Sequence, residues 1–305
     1  MATSTPVRAP ERTAAPRRPA ARAPKRHRSD RTFLLYLLPA LVLFTLAITL
    51  PALMGIFFSF TDSIGFGDWR FIGLTNYAAL FSDPAILASY GFTVGFALVT
   101  VLLVNVVAFL LSIALTAQIR GKVALRAVFV LPIVVSGIII AFVFNFLFSN
   151  SLPAFAESIG ATPLASSMLA NPDLAWIAIV VVTAWQAVPS ALLIYIAGVL
   201  SIPGDVYEAA ALDGASAWGQ LRSITLPLVA GYVLINLVIG FKNFLNAYDI
   251  IVGLTDGGPG TSTRSVAMTI FSGFTSGDYA YQMANATIFF LIALVIALVQ
   301  LREMA

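Results

Sequence analysis

Long apolar runs dominate this chain, and short polar segments separate them. About 20 apolar residues span the hydrocarbon core of a bilayer as a helix. Six segments are long enough, at about residues 33–60, 89–117, 126–148, 175–200, 228–252 and 280–301. Each is predicted to be an α-helix, because a backbone in lipid must satisfy its own hydrogen bonds. The pattern therefore predicts an all-α integral membrane protein with six transmembrane helices.

Composition agrees with a membrane domain and limits its chemistry. Hydrophobic residues make up 59% of the 305 residues and charged residues only 10%, whereas a soluble domain carries about 25% charged residues. The chain has no cysteine, and its one histidine, His27, lies near the N-terminus. None of the three lysines is followed by Ser or Thr, so a phosphate-binding loop is absent from the sequence. We expect no catalytic residue, metal site or cofactor on this chain.

The basic residues predict two regions and an orientation. Residues 1–32 contain nine basic residues and almost no large apolar side chain, which predicts a disordered tail before a transmembrane domain at 33–305. With the N-terminus inside, fourteen Lys and Arg fall on the inner side and two on the outer side. Cytoplasmic segments carry this excess. We therefore expect a multi-pass protein of the bacterial plasma membrane with both termini in the cytoplasm.

A short polar segment, residues 203–227, joins the fourth and fifth predicted helices and is expected in the cytoplasm. Asp205 and Glu208 open a short Ala-rich helix, and Gly214 lies where that helix must stop and reverse. Ser216 can cap a second short helix, which Pro227 ends. The segment is either a rigid element that presses against a soluble partner or an ordinary connection. We call residues 203–227 the coupling loop.

The fifth predicted helix carries an unusual series of polar residues, namely Asn236, Lys242, Asn243, Asn246 and Asp249. At helical spacing these positions fall on or beside one face. A lysine in mid-membrane costs roughly 2.5–3.5 kcal/mol, so this face is expected to meet protein or water. It is either the lining of a translocation cavity or a polar clamp between helices. Gln186 and Trp185 are weaker candidates for the same pathway, and Trp185 is either a stacking platform or a packing residue.

Four stretches resemble importer-type ABC transporter permeases. EAAALDGA at 208–215, followed by Ile224, Leu226 and Pro227, resembles the EAA loop that docks onto the ATPase. IPGDVYEAA at 202–210 resembles the entry to that loop. FIGLTNYAALF at 71–81 and NAYDIIVGLTDGGPGTST at 246–263 resemble further family segments, the first after the first helix and the second after the fifth. Tyr248 and Leu221 depart mildly from the pattern, since phenylalanine is more usual at both positions.

This resemblance implies a type I ABC importer permease fold, in the carbohydrate (maltose and multiple-sugar) branch. It implies contact with the ATPase through Glu208, Ala209, Ala210, Asp213, Gly214, Ala215, Leu221 and Pro227. It places Gly257, Gly258, Pro259 and Gly260 at the outer end of the pathway, where sequence alone indicates a turn. The implied partners are a second permease, two ATPase subunits that bind ATP and magnesium, an extracytoplasmic binding protein and the sugar. The alternatives are a permease for glycerol phosphates or polyols, and a secondary transporter without an ATPase.

Overall fold

The regular structure of the chain is helical. The computed structural model describes residues 29–117, 121–161 and 165–304, so most of the predicted tail lies outside the described residues. The first eight helices are α1 (Ser29–Phe44), α2 (Leu50–Phe58), α3 (Thr75–Ser82), α4 (Pro84–Thr116), α5 (Lys122–Val130), α6 (Gly137–Phe146), α7 (Leu152–Ser158) and α8 (Pro172–Leu200). The rest are α9 (Gly204–Leu212), α10 (Ala217–Gln220), α11 (Leu226–Leu228), α12 (Ala230–Leu245), α13 (Asp249–Thr255), α14 (Val266–Thr275) and α15 (Tyr279–Met304).

The chain divides into two units, Met1–Pro51 and Ala52–Ala305. In the first unit, α1 continues through a π-helical turn, Thr45–Thr49, to the start of α2. The cavities and the coupling loop described below all lie in the second unit.

Within the described residues, five helical stretches are long and apolar enough to cross a membrane. They are Leu35–Phe58, Pro84–Thr116, Gly137–Ser158, Pro172–Leu200 and Tyr279–Gln300. A sixth is obtained if Ala217–Leu228 and Ala230–Leu245, which meet at a bend of 63°, count as one span. The prediction of an all-α membrane protein is confirmed, and two of the predicted spans have different bounds.

The third span was predicted at residues 126–148, which places it about ten residues too close to the N-terminus. The helix breaks at a 3-10 turn, Leu131–Val134, and Val135 is extended. Pro132 has no amide proton to donate and disfavours the helical conformation before it, so the apolar run cannot continue as one helix. The amide of Gln186 donates to the freed carbonyl of Val135 at 3.2 Å. The span is instead Gly137–Ser158, and α5 is a separate helix.

The fifth span was predicted as one helix over 228–252, which is also wrong. Helix α12 ends at Leu245, and α13 begins at Asp249 after a break at residues 246–248. The side chain of Asn246 donates to the carbonyl of Lys242 at 2.9 Å and so satisfies the last turn of α12. Asn246 and Asp249 therefore do not continue the helical face of Asn236.

Small residues let the central helices pack closely. Helices α4, α8 and α12 share the largest buried cluster of the unit. An added Cβ on Gly240 of α12 would lie 3.0 Å from a methyl group of Val101 on α4. On α13, an added Cβ on Gly253 would lie 2.6 Å from the Cβ of Ala141 on α6. The two halves of the broken fifth span therefore pack against different helices.

Candidate functional site

A polar cavity of about 440 Å³ lies beside the break in the fifth span. Helix α8 forms one wall, α12 another, and residues 246–250 a third. Its polar lining consists of amide, hydroxyl and carboxylate side chains, namely Thr183, Gln186, Ser190, Asn236, Asn243, Asn246, Tyr248 and Asp249. We call this space the inner cavity. Five of the seven residues proposed for the pathway line it.

Neighbouring backbone holds the amides of the inner cavity in place. Asn236 is only 5% exposed, and its Nδ2 donates to the carbonyl of Ala191 on α8 at 3.2 Å. Gln186 is anchored by the carbonyl of Val135. Asn243 lies one helical turn before the break and is exposed on the lining. Fixed amides present both donors and acceptors to whatever enters the cavity.

Thr183 adds a buried hydroxyl to the wall of the inner cavity. The residue is 6% exposed, and its Oγ1 has no hydrogen-bond partner among the described residues. A buried hydroxyl without a partner costs about 1–3 kcal/mol. Because Thr183 lines the cavity, an entering hydroxyl group or a water molecule can supply the missing bond.

Two of the proposed pathway residues lie outside the lining of the inner cavity. Lys242 is exposed on α12, and the side chain of Asn246 donates to its backbone carbonyl. Trp185 is 45% exposed, and its ring lies 5.5 Å from that of Phe144. The one charged side chain on the lining is Asp249. The cavity therefore presents neutral hydrogen-bonding groups and a single negative charge.

A second polar space, of about 390 Å³, adjoins the inner cavity. It lies between the end of α13, the loop at 256–264 and α14, and we call it the outer pocket. Its lining includes Tyr248, Asp256, Arg264, Phe271 and Ser272. Tyr248 is the one residue that lines both spaces among the described residues.

The predicted outer turn lies at this end of the unit. Gly257 and Gly260 line the outer pocket, while Gly258 and Pro259 line a neighbouring space of about 480 Å³. The hydroxyl of Thr263, which is fully buried, donates to the carbonyl of Gly258 at 2.6 Å. The turn is thus fixed by its own loop.

The coupling loop forms the predicted pair of short helices. Helix α9 ends in a reversal in which the amide of Ala215 donates to the carbonyl of Ala210 at 2.9 Å. Gly214 has φ of +80° at this reversal, a conformation that costs little only for glycine. The side chain of Ser216 then caps α10 by accepting from the amide of Gly219 at 3.2 Å. The sequence predicted these features correctly.

A side-chain bond closes the coupling loop. The hydroxyl of Tyr207 lies 2.9 Å from Oγ1 of Thr225. Between the loop and the ends of α4 and α8 is a groove of about 580 Å³, lined by Tyr207, Leu221 and Thr225 among others. Pro227 was expected to end the second short helix, but it lies exposed inside α11, and the bend into α12 follows at Val229. A proline in the first turn of a helix costs no helical hydrogen bond, so the helix does not end there.

The outer surface of the coupling loop carries both charge and apolar bulk. Glu208, Ala209, Asp213 and Ala215 are exposed, and Ala210 is half-buried. Two large apolar side chains that the sequence reading did not propose as contacts stand out, since Leu212 is 90% and Trp218 70% exposed. These two side chains are available for contact with another protein or with the membrane surface.

Two polar residues of the inner cavity were missed although the sequence held a signal for them. Thr183 and Ser190 lie three residues before and four residues after Gln186 on α8, which places all three on one helix face. Tyr248 was noticed only as a departure from a family pattern. Its place between two cavities depends on the helix break, which no hydrophobic pattern reveals.

A bundle of membrane-spanning helices with a polar cavity and a structured, exposed loop defines a membrane permease. The family model of the "binding-protein-dependent transport system inner membrane component" matches residues 119–302. The chain is 33% identical to the "probable starch degradation products transport system permease protein AmyD" of Thermoanaerobacterium thermosulfurigenes. The match extends over 267 residues, which are 87% of this chain and 91% of that protein.

Further comparisons agree. The chain is also 33% identical to the "multiple sugar-binding transport system permease protein MsmF" of Streptococcus mutans. This match extends over 269 residues, which are 88% of this chain and 93% of that protein. The fold of the chain is similar to that of a bacterial ABC transporter involved in the import of the acidic polysaccharide alginate, with a TM-score of 0.77 and 22% identity over 90% of this chain and 96% of that one. The chain belongs to the family of binding-protein-dependent transport system inner membrane components. The resemblance inferred from the motifs is therefore confirmed, and the chain is an ABC importer permease.

Proposed function

We propose that this chain is one of two permease subunits of an ATP-driven sugar importer. The observation that carries the proposal is the course of helix α12. It begins at the bend that follows the coupling loop, and it brings Asn236 and Asn243 to the inner cavity. A force applied to the loop therefore acts directly on the helix that lines the cavity.

The inner cavity fits an uncharged, polyhydroxylated substrate. Its amides and hydroxyls can donate to and accept from sugar hydroxyl groups. Asp249, its one charged lining residue, accepts hydrogen bonds and repels an anion. A glycerol phosphate would favour a cationic lining, so we favour neutral sugars. The names of the relatives AmyD and MsmF point to the same class.

The coupling loop is the proposed contact with the ATPase. Glu208 and Asp213 offer fixed carboxylates, and exposed alanines permit close approach. Leu212 and Trp218 add apolar side chains of the kind that dominate binding energy at interfaces. In the proposed cycle, closure of the ATPase dimer on ATP moves this loop and shifts the permease between two states. Coupling requires that ATP and sugar bind those two states with different affinities.

The orientation and the remaining partners follow from charge and family. Among the described residues, Lys122, Arg126 and Arg222 lie in the segments predicted to be cytoplasmic, whereas Arg70 and Arg264 lie in segments predicted to be external. We propose that the coupling loop faces the cytoplasm. The binding protein would then deliver sugar at the side of the outer pocket. A second permease would complete the pathway, and the partner ATPase subunits would hold ATP and magnesium.

The test is to tag the chain, purify it in mild detergent and identify its partners by mass spectrometry. The recovered complex and its binding protein are then placed in proteoliposomes with ATP. Uptake of neutral oligosaccharides is compared with uptake of glycerol 3-phosphate. Recovery of an ATPase together with ATP-dependent sugar uptake supports the proposal. A well-folded chain without an ATPase would overturn it, and uptake of glycerol 3-phosphate alone would replace the sugar with a phosphate ester.

A further inference from the structure

The outer pocket is a preformed space with a fixed backbone. Thr263 is fully buried beneath it, with its hydroxyl 2.8 Å from that of Thr255 and bonded to the carbonyl of Gly258. The amide of Thr263 also donates to the carbonyl of Gly257 at 3.2 Å. These bonds hold the loop that carries Asp256 in one shape, so the pocket does not have to be ordered when a ligand enters.

Asp256 sits at an unusual backbone position on the rim of this pocket. It has φ of +47°, in the left-handed region, and among the described residues it is the one non-glycine with positive φ. Its amide donates to the carbonyls of Ile251 and Val252 at 3.2 and 3.0 Å, which ends α13. Strained positions that the surrounding structure enforces concentrate at binding and switching sites. Here the conformation places a carboxylate residue on the lining.

The side chains of the outer pocket suit a sugar ring. Tyr248 and Phe271 meet edge to face, with ring centroids 5.6 Å apart, and both line the space. Arg264 donates to the hydroxyl of Ser272, which links the loop to α14. A guanidinium group and a carboxylate can each bond two neighbouring hydroxyl groups, and an aromatic ring can cover the apolar face of a sugar. The volume of about 390 Å³ lies in the range of small-molecule sites.

Tyr248 connects this pocket to the inner cavity, because the residue lines both. The two spaces therefore adjoin at Tyr248. We propose that the outer pocket is a second sugar subsite, which holds an adjoining ring of an oligosaccharide whose first ring lies in the inner cavity. This proposal rests on the sugar-import function proposed above, and it makes the chain length of the sugar a determinant of transport.

The experiment compares sugars of different length in the assembled transporter. Neutral gluco-oligosaccharides of two to five rings, with α- and β-linkages, are presented to proteoliposomes at a saturating concentration of loaded binding protein. The variants are Phe271→Ala, which removes an aromatic face, and Arg264→Lys, which keeps the charge but loses the planar fork. The control is Thr261→Ala, an exposed residue of the same loop that lines neither cavity.

The readout is the ratio of uptake rates for the longer and the shorter sugar. The subsite predicts that this ratio falls about tenfold in Arg264→Lys, as expected for the loss of a hydrogen bond to a charged group. It also falls in Phe271→Ala, because the sugar loses the aromatic ring that it packs on, and it is unchanged in the control. An equal fall for both sugars would overturn the subsite and assign the pocket to docking of the binding protein. Unchanged rates would also overturn it. If the unmodified complex takes up none of these sugars with ATP, the proposed function itself fails.

Discussion

The hydroxyl of Tyr207 and the hydroxyl of Thr225 lie 2.9 Å apart and join the two arms of the coupling loop. Tyr207 belongs to α9, and Thr225 is buried at the end of the π-helical segment Leu221–Thr225, which leads toward the bend before α12. A displacement of α9 therefore reaches the start of α12 through this bond as well as along the backbone.

Replacement of Tyr207 by phenylalanine tests that connection. The ring still lines the groove, but the hydrogen bond is lost, which is worth about 0.5–1.5 kcal/mol or roughly a two- to tenfold change in an equilibrium. We expect fewer sugar molecules transported per ATP hydrolysed, with normal recovery of the complex. The measurement is uptake and ATP hydrolysis in the same proteoliposomes. Thr225→Ser, which keeps the hydroxyl, serves as the control, and equal coupling in both variants would contradict the prediction.

Two glycines of the coupling loop, Gly214 and Gly219, allow the effect of backbone conformation to be tested separately from the effect of an added side chain. Gly214→Ala forces a Cβ into φ of +80°, which costs roughly 1–2 kcal/mol. Gly219→Ala adds the same Cβ inside α10, where it meets only Ser216 Oγ at 3.5 Å and alanine favours the helix. We expect loss of sugar-stimulated ATP hydrolysis in the first variant only. Similar hydrolysis in both would show that the reversal at Gly214 is not needed for coupling.

Trp218 is expected to anchor the ATPase. Its side chain is 70% exposed on the coupling loop, and aromatic anchors of this kind cost at least about 2 kcal/mol when truncated at an interface. Trp218→Ala should therefore lower the affinity for the ATPase about 30-fold, measured by titration of purified subunits. Trp69→Ala removes a tryptophan that packs against Phe57 and Phe58 instead. An equal loss of affinity in that control would remove the case for Trp218 as a specific contact.

Two buried threonines, Thr183 and Thr100, allow an effect on stability to be separated from an effect on transport. The hydroxyls of Thr183 and Thr100 are both buried without a partner, but only Thr183 lines the inner cavity. Replacement of Thr100 by valine removes an unsatisfied group, so this variant should gain about 1 kcal/mol in the free energy of unfolding. Thr183→Val should gain less, because water in the cavity can bond the hydroxyl of Thr183. Only Thr183→Val should slow sugar uptake, because only there does the substrate lose a partner. Normal uptake by Thr183→Val would exclude this hydroxyl from the pathway.

Asn243 and Lys242 are adjacent in the sequence but differ in their position relative to the inner cavity. Asn243 lines the inner cavity, whereas Lys242 does not. We expect Asn243→Leu to lower sugar uptake at least tenfold, because an amide that meets the sugar is replaced by a side chain that leaves hydroxyls unsatisfied. Lys242→Leu should have a much smaller effect. Complex recovery is the control for assembly, and a larger effect at Lys242 would move the pathway to the other face of α12.

The fold could be predicted wherever its signal was local. Apolar runs located most spans to within a few residues, and Gly214 and Ser216 marked the end of α9 and the start of α10 through their own local chemistry. The failures came from tertiary effects. Pro132 broke a largely apolar span, and the carbonyl of Val135 beyond the break accepts a hydrogen bond from Gln186 of another helix. The chain left α12 at Asn246, and the next helix, α13, packs on α6, a neighbour that the hydrophobic pattern does not reveal.

The candidate site could be predicted only in part, because some of its residues have a local signal in the sequence and others do not. Asn236 and Asn243 are conspicuous because amides are costly inside a membrane. Thr183 and Ser190 are common residues in a helix, and only the cavity that they line indicates a role for them. Lys242 was the strongest polar signal of the fifth span, yet the cavity lies on another side of its helix.

The break at residues 246–248 divides the fifth span into two arms that are held by different partners. Below it, α12 is tied to α8 by Asn236 and follows the coupling loop. Above it, α13 is locked to α6, where the amide of Asn145 donates to the carbonyl of Leu254 at 2.7 Å. The two arms meet only at a non-helical break beside the inner cavity. We therefore expect a displacement of the coupling loop to change the angle between α12 and α13 there, and with it the shape of the cavity.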